Sequence, residues 1–450
     1  MSLSIYRAEY PDALVVRLAE MLAEAPSNPF EPELVAVPTN GIQRWLSEQI
    51  ALTFAERGAG DGIAANIEWP YPSELVHRVL RRVPDIEPSI EAWHGRELEW
   101  HVQSVLTQHR SEPWLRFLDR FIRENALEQN GINGAQRLRA ASKIRRLFVA
   151  YDLRRPEMVR SWAAGNNLGP SGEPIINEAA WQPQLWRLVR ESLALASPAE
   201  LLTNSLARIR SGDAALDLPD RLAVYGLTAL NPTYLDVLQA VGEVRDVNLF
   251  LLYPSSALWE TVAADYANRF LPTRNEDESR DLAVHPILRS WGQDVRELQL
   301  SLLSRSLRVE EIPEPTESSA SNLLEALQYG IRHNELVTLE SENLLRVREH
   351  ARSDRSVQVH LCYGPQRQVE VLRDAILHLF TEDPTLQPRD VVIMTPELTR
   401  FAPLIEASFS NRSRDQKFPD LRVSIADRSP VQRNPLIHFA RTILDLASSR

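Results

Sequence analysis

Residues 34–46 read Leu-Val-Ala-Val-Pro-Thr-Asn-Gly-Ile-Gln-Arg-Trp-Leu: an apolar tetrad, a tight turn and the start of a helix. In a nucleotide-driven motor, a loop so placed cradles phosphates. That chemistry needs glycines that let backbone N–H groups approach, a lysine for the phosphate charge, and a Ser or Thr for magnesium. The turn at 38–41 is too short, carries one glycine and has no lysine, and none of the sixteen glycines in the chain is followed by lysine. A motor also needs carboxylates at the end of a second core strand, to hold magnesium and aim a water. The natural candidate, 222–225, runs into Tyr225-Gly226-Leu227-Thr228, and the nearest acids, Asp220 and Asp236, fall before it and in the following helix. Both halves of an ATP site are absent from their expected positions.

Other chemistries find little support. The ten histidines show no His-x-x-x-His or His-x-x-Glu-His spacing, and one cysteine rules out a thiolate zinc cluster. There is no Gly-x-Ser-x-Gly elbow and no strand-embedded Asp…Glu-x-Lys grouping. His77 and Cys362, each unpartnered in sequence, read as structural residues. One charged stretch stands out: Arg137, Arg139, Lys143, Arg145, Arg146, Arg154, Arg155 and Arg160, against only Asp152 and Glu157. Arg139, Lys143 and Arg146 fall on one helical face at i, i+4, i+7, with Leu138, Ile144, Leu147, Phe148 and Tyr151 supplying an apolar side. Two readings stay open: a solvated face pairing with the chain's own acids, or a surface for nucleic-acid phosphates.

The elements that position these residues begin with a strand at 3–6 and a helix from Pro11, whose Leu14, Leu18, Met21 and Leu22 share a face. A strand at 34–37 and a helix carrying Ile42, Trp45, Leu46 and Ile50 follow, which is the opening of a parallel α/β sheet. A strand is expected over 62–72, then a long helical region over about 75–210, read as an all-helical insertion. The sheet resumes at 222–226 and 247–253. Residues 309–322, acidic and rich in Pro and Ser, read as a surface loop or linker. A short helix at 323–331 and a charged tract lead to a second α/β unit, with strands at 357–362, 391–395 and 422–425. Its helices are expected at 366–380, 398–409 and after Asn434-Pro435. The chain stops as that last helix closes, which reads as a piece of something longer.

Composition sets wider limits. A length of 450 residues suggests about three domain-sized units. The formal net charge of −11 argues against indiscriminate coating of nucleic acid, while leaving room for a local basic channel. The single cysteine excludes internal disulfides and points to a reducing cytoplasm. No secretory signal and no run near the roughly 18 apolar residues of a membrane span is present, so no membrane partner is expected. For any one of the ten tryptophans, core packing is the expectation over base stacking.

Several stretches add up to a family. Asn28-Pro-Phe-Glu-Pro-Glu33, Asn40-Gly-Ile-Gln-Arg-Trp-Leu46 and Gly62-Ile-Ala-Ala-Asn-Ile67 resemble the N-terminal part of RecC, and so do Ala180-Trp-Gln-Pro-Gln-Leu-Trp186, Gly226-Leu-Thr-Ala-Leu-Asn-Pro232 and Pro286-Ile-Leu-Arg-Ser-Trp291. Gly364-Pro-Gln-Arg-Gln-Val-Glu-Val-Leu372 and Glu382-Asp-Pro-Thr-Leu-Gln-Pro-Arg-Asp390 look especially close, and the likeness runs in order along essentially the whole chain. RecC is the non-motor subunit of the RecBCD helicase–nuclease, the exodeoxyribonuclease V gamma subunit.

The resemblance implies inactivated superfamily 1 helicase-like domains on RecA-like parallel sheets, with an inserted helical subdomain. A first domain would span 1–345 (core 1–74 and 211–345, helical insertion about 75–210), a linker 346–355, and the start of a second domain 356–450. An arginine that active relatives place just after the strand ending Ile393-Met394-Thr395-Pro396 is missing. The implied role is a non-catalytic subunit that conducts double-stranded DNA ends and scans the 3′-ended single strand for the Chi sequence. It would work in a heterotrimer with RecB-like and RecD-like subunits, which would use ATP and magnesium while this chain binds no cofactor. Positions implied to face DNA are Pro38, Asn40, Arg44, Tyr71, His77, Arg146, Leu147 and Arg155, with Arg139 and Lys143 as further phosphate contacts. Leu147 and Arg155 keep the residues expected of the best-known members, and the other six depart from them. The set still suits single-stranded DNA: the arginines for phosphates or base edges, Asn40 for a base, Tyr71 and His77 for stacking. An active subunit of the AddB type would instead need a Gly-Lys-Thr-like loop near residue 40, or cysteines for an iron–sulfur cluster; a protein-interaction module would turn the basic stretch to an acidic partner.

Overall fold

The computed structural model describes residues 2–26, 28–57, 62–118, 120, 134–267, 269, 276–305, 307, 309–312, 320–338, 344, 345, 347, 353–409, 421, 423–425 and 434–448. They divide into one unit of 1–321 with 325–349 and another of 322–324 with 350–450.

The first unit is built on six parallel strands: β1 (Leu3–Ala8), β2 (Glu33–Ala36), β3 (Ile67–Glu68), β4 (Arg221–Tyr225), β5 (Asp246–Leu252) and β6 (Val309–Glu311), in the order β3-β2-β4-β5-β1-β6. Successive side chains on a strand point to opposite faces. Leu34, Ala36, Leu222, Val224, Leu249 and Leu251 therefore enter one core, and Val35, Val37, Ala223, Tyr225 and Phe250 the other. Both faces are covered, which is why these strands read as near-continuous apolar runs. Helices α1 (Pro11–Ala23) and α2 (Asn40–Arg57) bury Leu14, Leu18, Leu46 and Ile50 on the second face.

Between β3 and β4 the described chain is helical: α3 (Pro72–Arg81), α4 (Ile86–His94), α5 (Leu98–Gln108), α6 (Gly134–Arg154), α7 (Pro156–Ala163), α8 (Trp181–Leu193) and α9 (Pro198–Arg210), with short 3-10 turns. α3, part of α4 (Ile86 and Ile90) and part of α9 add to the first sheet core. The rest closes around Trp93, Phe148, Trp162 and Trp186, all fully buried. The Trp93 and Trp186 rings stack at 5.3 Å, and Trp162 meets Trp186 edge-on at 6.3 Å. These three tryptophans are core, as expected for large aromatics.

After β4, Asn231 caps α10 (Pro232–Gly242), its side chain accepting from the Thr233 N–H at 3.0 Å. Then come α11 (Ser256–Tyr266), α12 (Ser279–Leu282), α13 (Pro286–Trp291), α14 (Gln293–Leu303) and α15 (Leu323–Arg332). α10 and α14 pack on the first face of the sheet through Leu235, Leu238, Leu298 and Leu302.

Three expectations are corrected. Of the strand expected over 62–72, only Ile67–Glu68 pairs with the sheet: Asn66, at a left-handed φ of 57°, breaks the run before it, and Pro70 and Pro72 end it after. The stretch read as linker from 309 begins with β6, which pairs in parallel with β1; its acids conceal a strand that lies at the sheet edge, where polar side chains are tolerated. The rest of that stretch to 319, apart from Ile312, lies outside the described residues. In the second unit, α16 (Gly364–Glu382), α17 (Leu398–Phe409) and α18 (Pro435–Ser448) form as expected, with Val369, Ile376, Ile405 and Phe409 packing together. The expected strands at 357–362, 391–395 and 423–425 form no strand pairing among the described residues, and Arg422 lies outside them. Val359, Leu361 and Tyr363 are 84%, 95% and 99% exposed. An apolar run records a preference for burial, but a strand exists only where a neighbour's N–H and C=O groups meet it.

Candidate nucleic-acid interface

β2 ends in a short turn that Thr39 closes: its Oγ1 accepts the Ile42 N–H at 3.2 Å and its carbonyl accepts the Gln43 N–H at 3.1 Å, starting α2. The segment after β3 lies beside this turn, with the Val37 N–H donating to the Pro70 carbonyl at 3.0 Å. The two meet through side chains where the Tyr71 hydroxyl donates to Asn40 Oδ1 at 3.0 Å. Pro38, Asn40, Arg44 and Tyr71 are thereby gathered past the carboxyl ends of β2 and β3. Asn40, Arg44 and Tyr71 are exposed, Arg44 sits one helical turn beyond Asn40, and it makes no ion pair among the described residues.

The second group lies on α6 and its exit. Ala141, Ile144, Phe148 and Asp152 form the buried stripe of this helix, which leaves Arg139, Lys143 and Arg146 exposed on another face. These three cations carry no ion pair among the described residues. Their neighbour Arg145 turns inward instead, pairing with Glu99 at 2.9 Å and donating to the His94 carbonyl at 3.2 Å. Arg155, exposed between α6 and α7, lies 6.0 Å from the Tyr151 ring centroid, and Leu147 is half-buried. The cluster thus divides: Arg145 and Arg160 serve internal contacts, the latter with Glu157 and the Ala199 carbonyl, and the face at 139, 143 and 146 is exposed with no ion pair among the described residues.

His77, implied to stack on a base, is less open than Asn40, Arg44 and Tyr71. It is half-buried on α3, its Nε2 closed off from solvent with no hydrogen-bond partner, and its ring lies 5.8 Å from that of His94. Burial lowers its pKa, helped by His94 and Arg81. His94 Nε2 in turn lies 3.5 Å from Asp152 Oδ2. Asp152 is buried, and removal from water pushes its carboxyl up, with His94 and Ser197 pulling the other way. This buried group joins α3, α4 and α6. Sequence reading counted Asp152 only as an acid among bases; its place in the 141–144–148–152 stripe was the signal that it points inward.

The gap between the ends of β2 and β4 is filled by apolar groups. Gly226 holds a left-handed φ of 72°, and a Cβ there would lie 3.7 Å from Ile42 Cδ1. Trp45 and Tyr225 rings meet at 6.4 Å, and the Tyr225 hydroxyl, its pKa raised by burial, donates to the Pro11 carbonyl at 3.1 Å. Asp220 sits at the opposite, amino end of β4, and Asp236 is paired with Arg305 at 2.7 Å. Among the described residues no group of three His, Cys, Asp or Glu is arranged to hold a metal ion, and no helix is long and apolar enough to cross a membrane.

A family model described as the RecC N-terminal domain matches residues 3–334. Curated relatives match along the whole chain. They include the RecBCD enzyme subunit RecC of Mycobacterium tuberculosis (strain H37Rv), 35% identical, that of Mycolicibacterium smegmatis, 31% identical, and that of Escherichia coli K12, 28% identical. The chain covers 40%, 39% and 41% of those proteins, so it spans about two fifths of the relatives it matches.

Proposed function

The chain belongs to the RecC N-terminal-domain family, and from that premise we propose that it is the N-terminal part of a non-catalytic, strand-conducting subunit of a RecBCD-type complex. In this reading its partners are RecB-like and RecD-like subunits and DNA ends, in the cytoplasm, and its task is to bind and scan the 3′-ended single strand during break processing. The fold is read as a superfamily 1 helicase domain that has lost its fuel site, with ATP and magnesium left to the partner subunits. The filling of the β2–β4 gap by Ile42, Trp45 and Tyr225 supports that loss.

The observation that carries the proposal is the α6 face. In a chain of net charge −11, Arg139, Lys143 and Arg146 stand together on one helix face, exposed and free of ion pairs among the described residues. Arg44 has the same standing beside Asn40 and Tyr71. Unpaired cations facing water suit phosphates, and an exposed tyrosine suits a base. His77 enters this reading as a half-buried residue on α3 whose ring lies against His94.

The test is a fluorescence-anisotropy titration of labelled single-stranded DNA against the chain at several salt concentrations, beside an ATPase assay. The expected result is binding whose log affinity falls linearly with log salt, with no ATP hydrolysis. ATP hydrolysis by the isolated chain, or single-strand binding indifferent to salt, defeats the proposal. Binding to an acidic protein partner without binding to DNA points to an interaction module instead.

A further inference from the structure

The carboxyl ends of β1 and β5 hold a second crevice of the sheet. β1 and β5 are neighbours, but β1 leads into α1 on one face, whereas β5 leads into α11, whose Trp259 packs on the opposite face. Where adjacent parallel strands send their chains to opposite faces a crevice opens, and a helix N-terminus beside it offers free N–H groups and partial positive charge to an anion.

Here the chain's own groups take that position. Only Glu9 and Tyr10 separate β1 from α1, too little backbone to wrap a phosphate. The Glu9 carboxylate instead reaches the first turn of α11, where its Oε1 accepts the Ser256 N–H. Ser255 Oγ accepts the Leu258 N–H at 3.1 Å. Glu311, at the end of β6, accepts from Ser256 Oγ at 2.6 Å and pairs with Arg7 Nη2 at 2.6 Å. Arg7 is the independent second feature. On the α11 side of β1, it is 4% exposed, its guanidinium lies 4.6 Å over the Trp259 ring, and its Nε and Nη1 are buried with no hydrogen-bond partner. A buried guanidinium with idle donors beside a helix N-terminus is the equipment of an oxyanion site.

We propose that this is a phosphate-class anion site filled from within, Glu9 and Glu311 standing where the oxygens of an external oxyanion would bind. The carboxylates neutralise both Arg7 and the helix end, so the intact chain has no capacity left for a phosphate there. Removing them leaves the buried cation and the α11 N–H groups uncompensated, and inorganic phosphate then becomes a ligand. The inference stands on the sheet-end geometry and is independent of strand binding.

Thermal unfolding in sodium phosphate against sodium chloride at equal ionic strength tests it, on the wild type, Glu9→Gln, Glu9→Ala and the double variant Glu9→Ala/Glu311→Ala. The wild type should gain only the small, unsaturating rise that phosphate, an excluded salt, gives folded proteins in general. Glu9→Ala and the double variant should melt a few degrees lower in chloride and recover at least half of that loss in phosphate, saturably. Glu9→Gln, which keeps an acceptor and loses the charge, should fall less and recover less. If the double variant does not fold, Glu9→Ala carries the test, since Glu311 remains to hold Arg7. A folded Glu9→Ala protein that gains no more from phosphate than the wild type does overturns the proposal.

Discussion

The Tyr71 hydroxyl donates to the Asn40 side-chain oxygen at 3.0 Å across 31 residues of sequence. This contact joins the turn after β2 to the segment after β3, and it holds an exposed aromatic ring against Asn40, one helical turn before the exposed Arg44. In the proposed interface the ring stacks a base while the hydrogen bond orients it. Tyr71→Ala should weaken single-strand binding by about 1–3 kcal/mol, the range for loss of one stacked base. Tyr71→Phe, which keeps the ring and loses the hydroxyl, should cost well under half of that. Anisotropy titration of both variants checks the split; equal losses would mean that the ring does not stack.

The three free cations of α6 make a separate statement about salt. Each phosphate contact on a single strand contributes roughly 0.7 to the slope of log affinity against log salt. Replacing Arg139, Lys143 and Arg146 by Ala should lower the slope by about 2 if all three touch phosphates. Arg145→Ala should act differently, because its partners are Glu99 and the His94 carbonyl. It should lower thermal stability while leaving the salt slope unchanged.

Asp152 gives a prediction in pH. Its carboxyl is pushed up by burial, so the folded state holds the proton more tightly than the unfolded state. The stability this contributes is full below the unfolded carboxylate value near 3.9 and is lost as pH rises through the higher folded value. Asp152→Asn removes the ionisation and keeps the shape. Urea unfolding across pH should show the variant at least as stable as the wild type at neutral pH, without the wild-type decline above about pH 4.

His77 has the opposite sense. Its pKa is lowered by burial, with His94 and Arg81 adding to the effect, so the unfolded state takes the proton first as pH falls. Stability is full above the unfolded value near 6.5 and is lost as pH falls toward the lower folded value. His77→Gln should flatten the stability profile just below pH 6.5. A single-strand affinity that falls sharply in His77→Gln would instead show that the residue reaches the strand directly.

Trp186 tests the helical core. It is fully buried and meets both Trp93 and Trp162. Trp186→Ala should destabilise by about 3–5 kcal/mol, as for other buried tryptophans, measured by urea unfolding.

The sequence by itself determined the parallel sheet of the first unit, the helices flanking it and the basic face of α6. Apolar runs such as 34–37 and helical spacings such as Leu14 to Leu18 are local consequences of which side of an element is buried. The separation of Arg139, Lys143 and Arg146 from the 141–144–148–152 stripe follows from helical geometry alone. Tertiary structure decided matters that depend on what stands opposite. It paired Val309–Glu311 with β1 despite its acids and gave 357–362 no strand partner among the described residues despite its apolar pattern. It turned His77 and Asp152 inward, brought Tyr71 to Asn40, and set Glu9 against α11 beside a buried Arg7. Periodicity tells which face of an element is apolar; only the packed fold decides whether a charged or polar side chain on it meets water, another helix or a helix end.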